Sequence, residues 1–385
     1  MIPSTLASED RSPIVMPTAL ARCRSVLMVG PGTEGMGGVA SVVLGYIEAG
    51  LFARFHGTYV ATHHGGSALR KMRAAAVGWG KVLIEIFRLD APLVHVMLAS
   101  RVSFWRKSVV CLLARAAGRP YLLHVHSGEF IQFYENESSR AAQWIIRRVF
   151  SRATLVLALS EEWRRILLRI SPDLKIEVLP NGVPLPEARH LRQPSVQEKT
   201  VLALSRLSHL KGTYDLVRAF ARIAAQVPRL RLVCGGHGDV EEVRALAKSL
   251  ELEDRIVCPG WLGPERKRAE LADSDIFVLP SYAEGMPMAV LEAMSWGLPV
   301  ITTPVGAIVQ LIQNGVDGIL VEPGDVEAIA TAILRLSGDP ALRARMGAAA
   351  RATIEARFSI NVAVERLSGI YGRFGIAAHA TAESS

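Results

Sequence analysis

The chain switches repeatedly between two hydrophobic periods, and that alternation restricts its fold more than any single motif does. Short apolar runs of strand type occur at Leu93 to Leu98, Tyr121 to Val125 and Thr154 to Leu159. Further runs follow at Thr200 to Leu204, Arg231 to Gly235, Ile256 to Pro259, Ile276 to Leu279 and Val300 to Thr302. Stretches of helical spacing separate them. Strands alternating with helices predict parallel sheets covered by helices on both faces, an α/β architecture. The alternation breaks at Val178 to Lys199, where Pro180, Pro184, Pro186 and Pro194 interrupt helix and strand alike. At 385 residues the chain exceeds one ordinary core. We therefore expect two Rossmann-like parallel-sheet domains, at 25–185 and 200–357, joined by a linker at 186–199. The C-terminal edges of their sheets would face a central cleft, the place for a ligand. A flexible tail at 1–24, a C-terminal helix at 358–376 crossing back to the first domain, and a flexible tail at 377–385 complete the expectation.

The stretch SVLMVGPGTEGMGGVASVV, Ser25 to Val43, has G-x-G-x-x-G spacing at Gly30, Gly32 and Gly35, followed by Gly37 and Gly38. A glycine turn between a strand and a helix lets backbone N–H groups reach an anion at the positive end of the helix dipole. A dinucleotide site also wants an acidic residue at the end of the second strand. The candidate second strand, His56 to His63, ends in Thr, His and His instead. At this point a dinucleotide loop, a loop for another phosphate and a merely tight turn all stay open.

Charge narrows the class of partner. Residues 1–190 hold 23 Lys+Arg against 14 Asp+Glu, whereas the rest of the chain holds 21 against 22, so the net +8 belongs to the first half. Such a half suits nucleic acid, an anionic membrane surface or a phosphorylated substrate. No helix-turn-helix, aromatic RNA-binding or zinc-finger spacing is present, which argues against nucleic acid. Ser103 to Pro120 and Ala141 to Ala153 combine an apolar stripe with Arg and Lys. Each reads as a core helix with a solvated basic face or as a helix resting on anionic headgroups. Glu9 and Asp10 precede any apolar run, unlike a secretory signal, and no window reaches the length of a membrane span. Cys23, Cys111, Cys234 and Cys258 lack C-x-x-C spacing and read as buried reduced thiols of a cytoplasmic protein.

The chemistry concentrates in Ser281 to Thr303, SYAEGMPMAVLEAMSWGLPVITT. The strand Ile276 to Leu279 leads through a loop into a helix starting near Pro287, a residue suited to a first helical turn. Amides of Gly285, Met286 and Met288 would then face an anion or polar ligand at the helix N-terminus. Glu284 lies in the loop. Glu292 lies on the helix among Val290, Leu291, Ala293 and Met294, where a carboxylate needs a partner or a ligand.

The spacing of Glu284 and Glu292, together with SRLSHLKG at Ser205 to Gly212, resembles the retaining glycosyltransferases of family 4, which have the two-domain GT-B fold. The likeness extends in order through GMGG near the start, HVHSGEF at His124 to Phe130, LPNGV before the linker and NGVDGILVEPGD at Asn314 to Asp325. SFWRKS and HVHSGEF also resemble members that build bacterial exopolysaccharide or capsule on a lipid carrier.

The resemblance implies a nucleotide-diphosphate sugar as donor and a polyprenyl-diphosphate-linked saccharide as acceptor, handled at the cytoplasmic membrane face. It implies that Arg206 and Lys211 hold the leaving diphosphate, that Glu292 accepts the ribose hydroxyls and that Glu284 accepts a hydroxyl of the transferred sugar. Gly37 and Gly38 would face the diphosphate across the cleft, making the G-x-G-x-x-G match coincidental. Gly285, Met286, Pro287 and Met288 would line the sugar and phosphate site, and His126 would contact the donor sugar. Glu129 and Arg101 are possible acceptor contacts. No cofactor or metal is implied; Asp273 and Asp275 form an Asp-x-Asp, but in a helix-to-strand turn. Val309 and Gln310 depart from the Pro and Glu common in relatives. Beside this reading stand a transferase for a small soluble acceptor and a non-catalytic sugar-nucleotide-binding subunit.

Overall fold

The computed structural model describes residues 23–34, 37–63, 68–88, 92–187 and 199–378. The first half forms a six-stranded sheet of β1 (Val26–Gly30), β2 (Thr58–Ala61), β3 (Leu93–Leu98), β4 (Tyr121–Val125), β5 (Leu155–Ala158) and β6 (Ile176–Val178), in the order β2-β1-β3-β4-β5-β6. The second forms another, of β7 (Lys199–Leu204), β8 (Leu230–Gly235), β9 (Ile256–Gly260), β10 (Ile276–Leu279), β11 (Val300–Thr302) and β12 (Ile319–Leu320), in the order β12-β11-β10-β7-β8-β9. Every pairing is parallel, with Val94 opposite Tyr121 and Val201 opposite Leu232 as examples of register. Both sheets reverse strand order beside their first strand, and ligands gather at such switch points.

Strands buried on both faces explain the continuous apolar runs: β1, β3, β4, β5 and β10 are buried throughout. One face of the first sheet packs on the helices Ala68–Phe87, Val102–Ala116 and Arg140–Phe150. The opposite face packs on Gly38–Glu48 and on the C-terminal helix Ile360–Arg373. That last helix returns from the second half. Tyr371 reaches His95 on β3, and Arg373 pairs with Glu177 on β6 at 2.5 Å. An apolar cluster is therefore continuous from Val42 and Tyr46 through Leu367 to Met288 and Leu291.

Several expectations need adjustment. The tails, most of the linker and Gly35 lie outside the described residues. Cys23, assigned to the flexible tail, is buried, and its N–H donates to Phe374 O at 3.1 Å. Lys199, assigned to the linker, opens β7 because its backbone pairs in register with Leu230. Pro287 caps its helix from outside: its carbonyl accepts from Val290 and Leu291, and the helix proper is Met288–Ser295. The strands β6 and β12 have no counterpart among the expected ones.

Candidate functional site

The C-terminal edges of the two sheets enclose a cleft of about 590 Å³. The residues expected at the donor site all line it: Gly37, Gly38 and His126 from the first half, and Arg206, Lys211, Glu284, Gly285, Met286, Pro287, Met288 and Glu292 from the second. Local structure explains each position. Gly37 is the N-cap of Gly38–Glu48, and a Cβ on Gly38 would stand 3.4 Å from Met288 Cγ across the cleft. Gly30 and Gly32, by contrast, do not line the cleft; the Gly32 N–H donates to His63 O at 2.6 Å, a structural turn.

The loop after β7 lies against the loop after β10. Gly212 makes this possible: its φ is +66°, and a Cβ there would meet Pro280 O at 2.1 Å. Lys211 thereby comes to 2.6 Å from Glu284 Oε1, and Ser281 Oγ donates to the same oxygen at 2.9 Å. Arg206 stays exposed at the cleft wall. Glu292 is 15% exposed and meets Lys267 Nζ at 2.7 Å, so the carboxylate on the apolar helix has its partner. Among the described residues, the amides of Gly285, Met286 and Met288 donate to no other group, leaving three donors and two cations directed at one volume. Such an array stabilises negative charge developing on a leaving group.

His126 follows β4 and ends a ladder of three rings. Its two ring nitrogens are buried without a hydrogen-bond partner, and its ring lies 4.0 Å from that of His124. His124 Nδ1 is 3.3 Å from His95 Nε2, and His95 Nδ1 is 2.7 Å from the Tyr371 hydroxyl. Burial holds all three histidines below their usual range, His124 at about 3, and drives the Tyr371 hydroxyl up. The ladder is neutral. The tautomers are therefore coupled: if Tyr371 donates to His95 Nδ1, the His95 Nε2 proton points at His124 Nδ1, and if His95 Nδ1 donates to Tyr371, the His124 Nδ1 proton points at His95 Nε2.

Residues absent from the sequence reading complete the walls. Asn181 Nδ2 donates to Met286 O at 3.4 Å, linking the halves. His237, whose Nδ1 is buried without a partner, stands edge-on to Trp261 at 6.0 Å. LPNGV carries Asn181, but nothing in the sequence singles out the side chains of Asn181, His237 or Trp261. Lys267 is one of five charges in PERKRAE and carried no signal at all.

Other residues lie elsewhere. Arg101 pairs with Glu129 and, through Nη2 at 2.7 Å, with Glu137, so only Glu129 lines the cleft. Asp275 accepts from Thr200 N at 3.0 Å at the start of β7, the end of the sheet away from the cleft. Among the described residues, no three His, Cys, Asp or Glu are grouped to hold a metal. Gln310 is outside the cleft lining; its Oε1 accepts from Glu161 N of the first half at 3.2 Å. All four cysteines are buried, and none is in a disulfide. No described helix is long and apolar enough to cross a membrane.

Known proteins share this arrangement. Residues 21–182 match the glycosyl transferase 4-like domain, and residues 187–353 match glycosyl transferases group 1. The amylovoran biosynthesis glycosyltransferase AmsK of Erwinia amylovora is 32% identical over 59% of this chain and 58% of its own length, so the match spans less than two thirds of that relative. The UDP-Gal:α-D-GlcNAc-diphosphoundecaprenol α-1,3-galactosyltransferase of Escherichia coli is 29% identical over 68% of this chain and 71% of its own. Among solved structures, Anabaena Alr3699/HepE in complex with UDP and glucose superposes with a TM-score of 0.72 at 19% identity, covering 91% of this chain and 99% of its own. Sucrose-phosphate synthase from Thermosynechococcus elongatus gives 0.73 at 20% identity, with the same coverage. At such identities the likeness is one of fold. With both domain types matched in order and facing one cleft, the chain belongs to the 4-like and group 1 glycosyltransferases of GT-B architecture.

Proposed function

We propose that this protein is a retaining glycosyltransferase that moves a sugar from a nucleotide-diphosphate donor to a polyprenyl-diphosphate-linked saccharide, in exopolysaccharide or other surface-glycan synthesis at the cytoplasmic membrane face. The observation that carries the reading is the convergence of Arg206, Lys211, Glu284 and Glu292 on one cleft. Arg206, Lys211 and the amides of Gly285 to Met288 would take the charge that grows on the departing diphosphate, assisted by Gly37 and Gly38. Glu292 would accept the ribose hydroxyls, and Glu284 a hydroxyl of the sugar. No metal enters this scheme.

His126 is a contact to the sugar, not a nucleophile or a base: its burial disfavours the imidazolium. In a front-face scheme the acceptor oxygen would attack the anomeric carbon on the face from which the diphosphate leaves: the bond from that carbon to phosphate breaks, the new glycosidic bond forms on the same side, and the departing phosphate oxygen takes the acceptor hydroxyl proton, so configuration is kept. A UDP-sugar is the first donor to test, because the Escherichia coli relative is named for UDP-Gal and HepE was solved with UDP.

A thermal-shift series with UDP, GDP, ADP and NAD, with Glu292→Ala as control, tests the donor class. Stabilisation of the wild type alone by one nucleoside diphosphate supports the proposal. Stabilisation by NAD alone overturns it. The anomeric configuration of the product, read by proton NMR, tests retention.

A further inference from the structure

The outer layer of the first half carries an unusual surface. Ten of the seventeen large apolar residues exposed among the described residues lie on three adjacent helices, Ala68–Phe87, Val102–Ala116 and Arg140–Phe150. On the central helix Val102, Trp105, Val109 and Leu112 recur at i, i+3, i+7 and i+10, a single stripe facing away from the core. Val102 is 74% exposed. The helix is thus apolar on the face that packs against the sheet and apolar again on the face that does not. Its flanks extend the pattern: Ile84 and Phe87 on one neighbour, and Trp144, 60% exposed, on the other.

The charge that these helices carry beside the stripe is mainly basic, and Glu129 and Glu137 near Val102 are held by Arg101. Arg140, Arg147 and Arg148 stand one turn from Trp144 on the same helix face, and Arg115 lies beside the stripe. Neither Val102–Ala116 nor Arg140–Phe150 contains an acidic residue. The one carboxylate on Ala68–Phe87, Glu85, is paired with Arg88 at 3.3 Å.

We propose that this three-helix face docks on an anionic lipid bilayer, with the stripe and Trp144 entering the boundary between headgroups and acyl chains and the arginines meeting lipid phosphate. Apolar side chains framed mainly by arginines match that interface. A protein partner would more often meet a rim of mixed sign. The position also suits the reaction. The central helix starts at Arg101, which holds Glu129 on the wall of the cleft, so the docked face continues into the side of the cleft that an acceptor would enter. The inference extends the lipid-linked-acceptor reading. Its test contains neither donor nor acceptor, so the two can fail separately.

The full chain is co-sedimented with vesicles of phosphatidylglycerol and phosphatidylcholine mixed, and with phosphatidylcholine alone, at low and high salt. Binding to the anionic vesicles is expected, weakening as salt shortens the screening length. Replacing Arg148 by Glu should weaken it by about fivefold or more, and Val109→Glu with Leu112→Glu should remove most of it. The far-UV circular dichroism and melting temperature of these variants should match the wild type, showing an intact fold. Absence of sedimentation at low salt, or equal sedimentation of wild type and variants, overturns the proposal. So does a concentration-dependent dimer in ultracentrifugation that the same substitutions dissolve, since the face would then belong to a second copy.

Discussion

Lys211 Nζ stands 2.6 Å from Glu284 Oε1, so the cation assigned to the diphosphate and the carboxylate assigned to the sugar neutralise each other across two loops. A diphosphate arriving in the cleft competes for Lys211, while Glu284 keeps Ser281 as a donor. Lys211→Met is expected to lower turnover by about 10² to 10³ if the lysine acts on developing charge. A transfer assay under saturating donor reads this directly. Turnover equal to wild type would remove Lys211 from the leaving-group site.

Glu292 and Lys267 form the second ion pair of the cleft, with side chains 15% and 29% exposed. A nucleoside diphosphate at a hundred times its dissociation constant should stabilise the wild type by about 2.7 kcal/mol. Glu292→Ala should lose that stabilisation. Lys267→Ala should keep part of it, because the carboxylate, not the ammonium, is the proposed ribose contact. The reverse ranking in a thermal-shift titration would make Lys267 the binding group.

Acid should weaken the fold through the histidine ladder. An unfolded histidine titrates near about 6.5, whereas burial holds His95, His124 and His126 lower, His124 at about 3. Between those limits the unfolded chain takes up protons that the folded chain refuses. Stability therefore falls as pH drops below about 6.5, each histidine adding a slope that approaches about 1.4 kcal/mol per pH unit. Urea midpoints of wild type and His124→Asn across this range check the sign and show a shallower slope for the variant. A wild-type midpoint independent of pH would contradict the buried, neutral ladder.

Gly128 lies at a close approach of the two halves. A Cβ on it would stand 2.6 Å from Gly285 N and 2.8 Å from Glu284 C, both backbone atoms of the opposite half. Gly128→Ala must push the loop of Glu284 away. Since a misplacement of about 1 Å costs on the order of 10² in rate, a large fall in kcat with a nearly unchanged melting temperature is the expected result. A fully active Gly128→Ala enzyme would mean that the reacting geometry does not use this contact.

Turnover should be indifferent to chelation. Asp275 is committed to Thr200 N at the far end of β7, and the charge on the leaving group falls to Arg206 and Lys211. Activity in EDTA should equal that in magnesium. A loss in EDTA that magnesium or manganese restores would call for a metal in the cleft.

The strands buried on both faces were legible because every residue in them obeys one rule, and Glu292 was legible because it breaks the rule of its helix. The three residues of β6 and two of β12 are too short for any period, and Glu177 interrupts the apolar character of β6. The histidine ladder was hidden for another reason. His95 sits in an apolar run, LVHVML, and its partner Tyr371 lies 276 positions away, so only the return of the C-terminal helix joins them. Lys267 was hidden among the other charges of its helix; what distinguishes it is proximity to Glu292, a tertiary fact.

The return of that helix means that the chain passes between the halves twice, side by side. Val183 N donates to Phe358 O at 2.9 Å, Ile360 N donates to Val183 O at 2.8 Å, and Arg351 reaches Pro186 O at 3.1 Å. Two cords stitched together at one edge behave as the pin of a door. Sliding and twisting of one half against the other would tear those bonds, whereas swinging about the line of the pin leaves them intact. Any opening and closing of the cleft would thus be one rotation, about an axis set by these few hydrogen bonds.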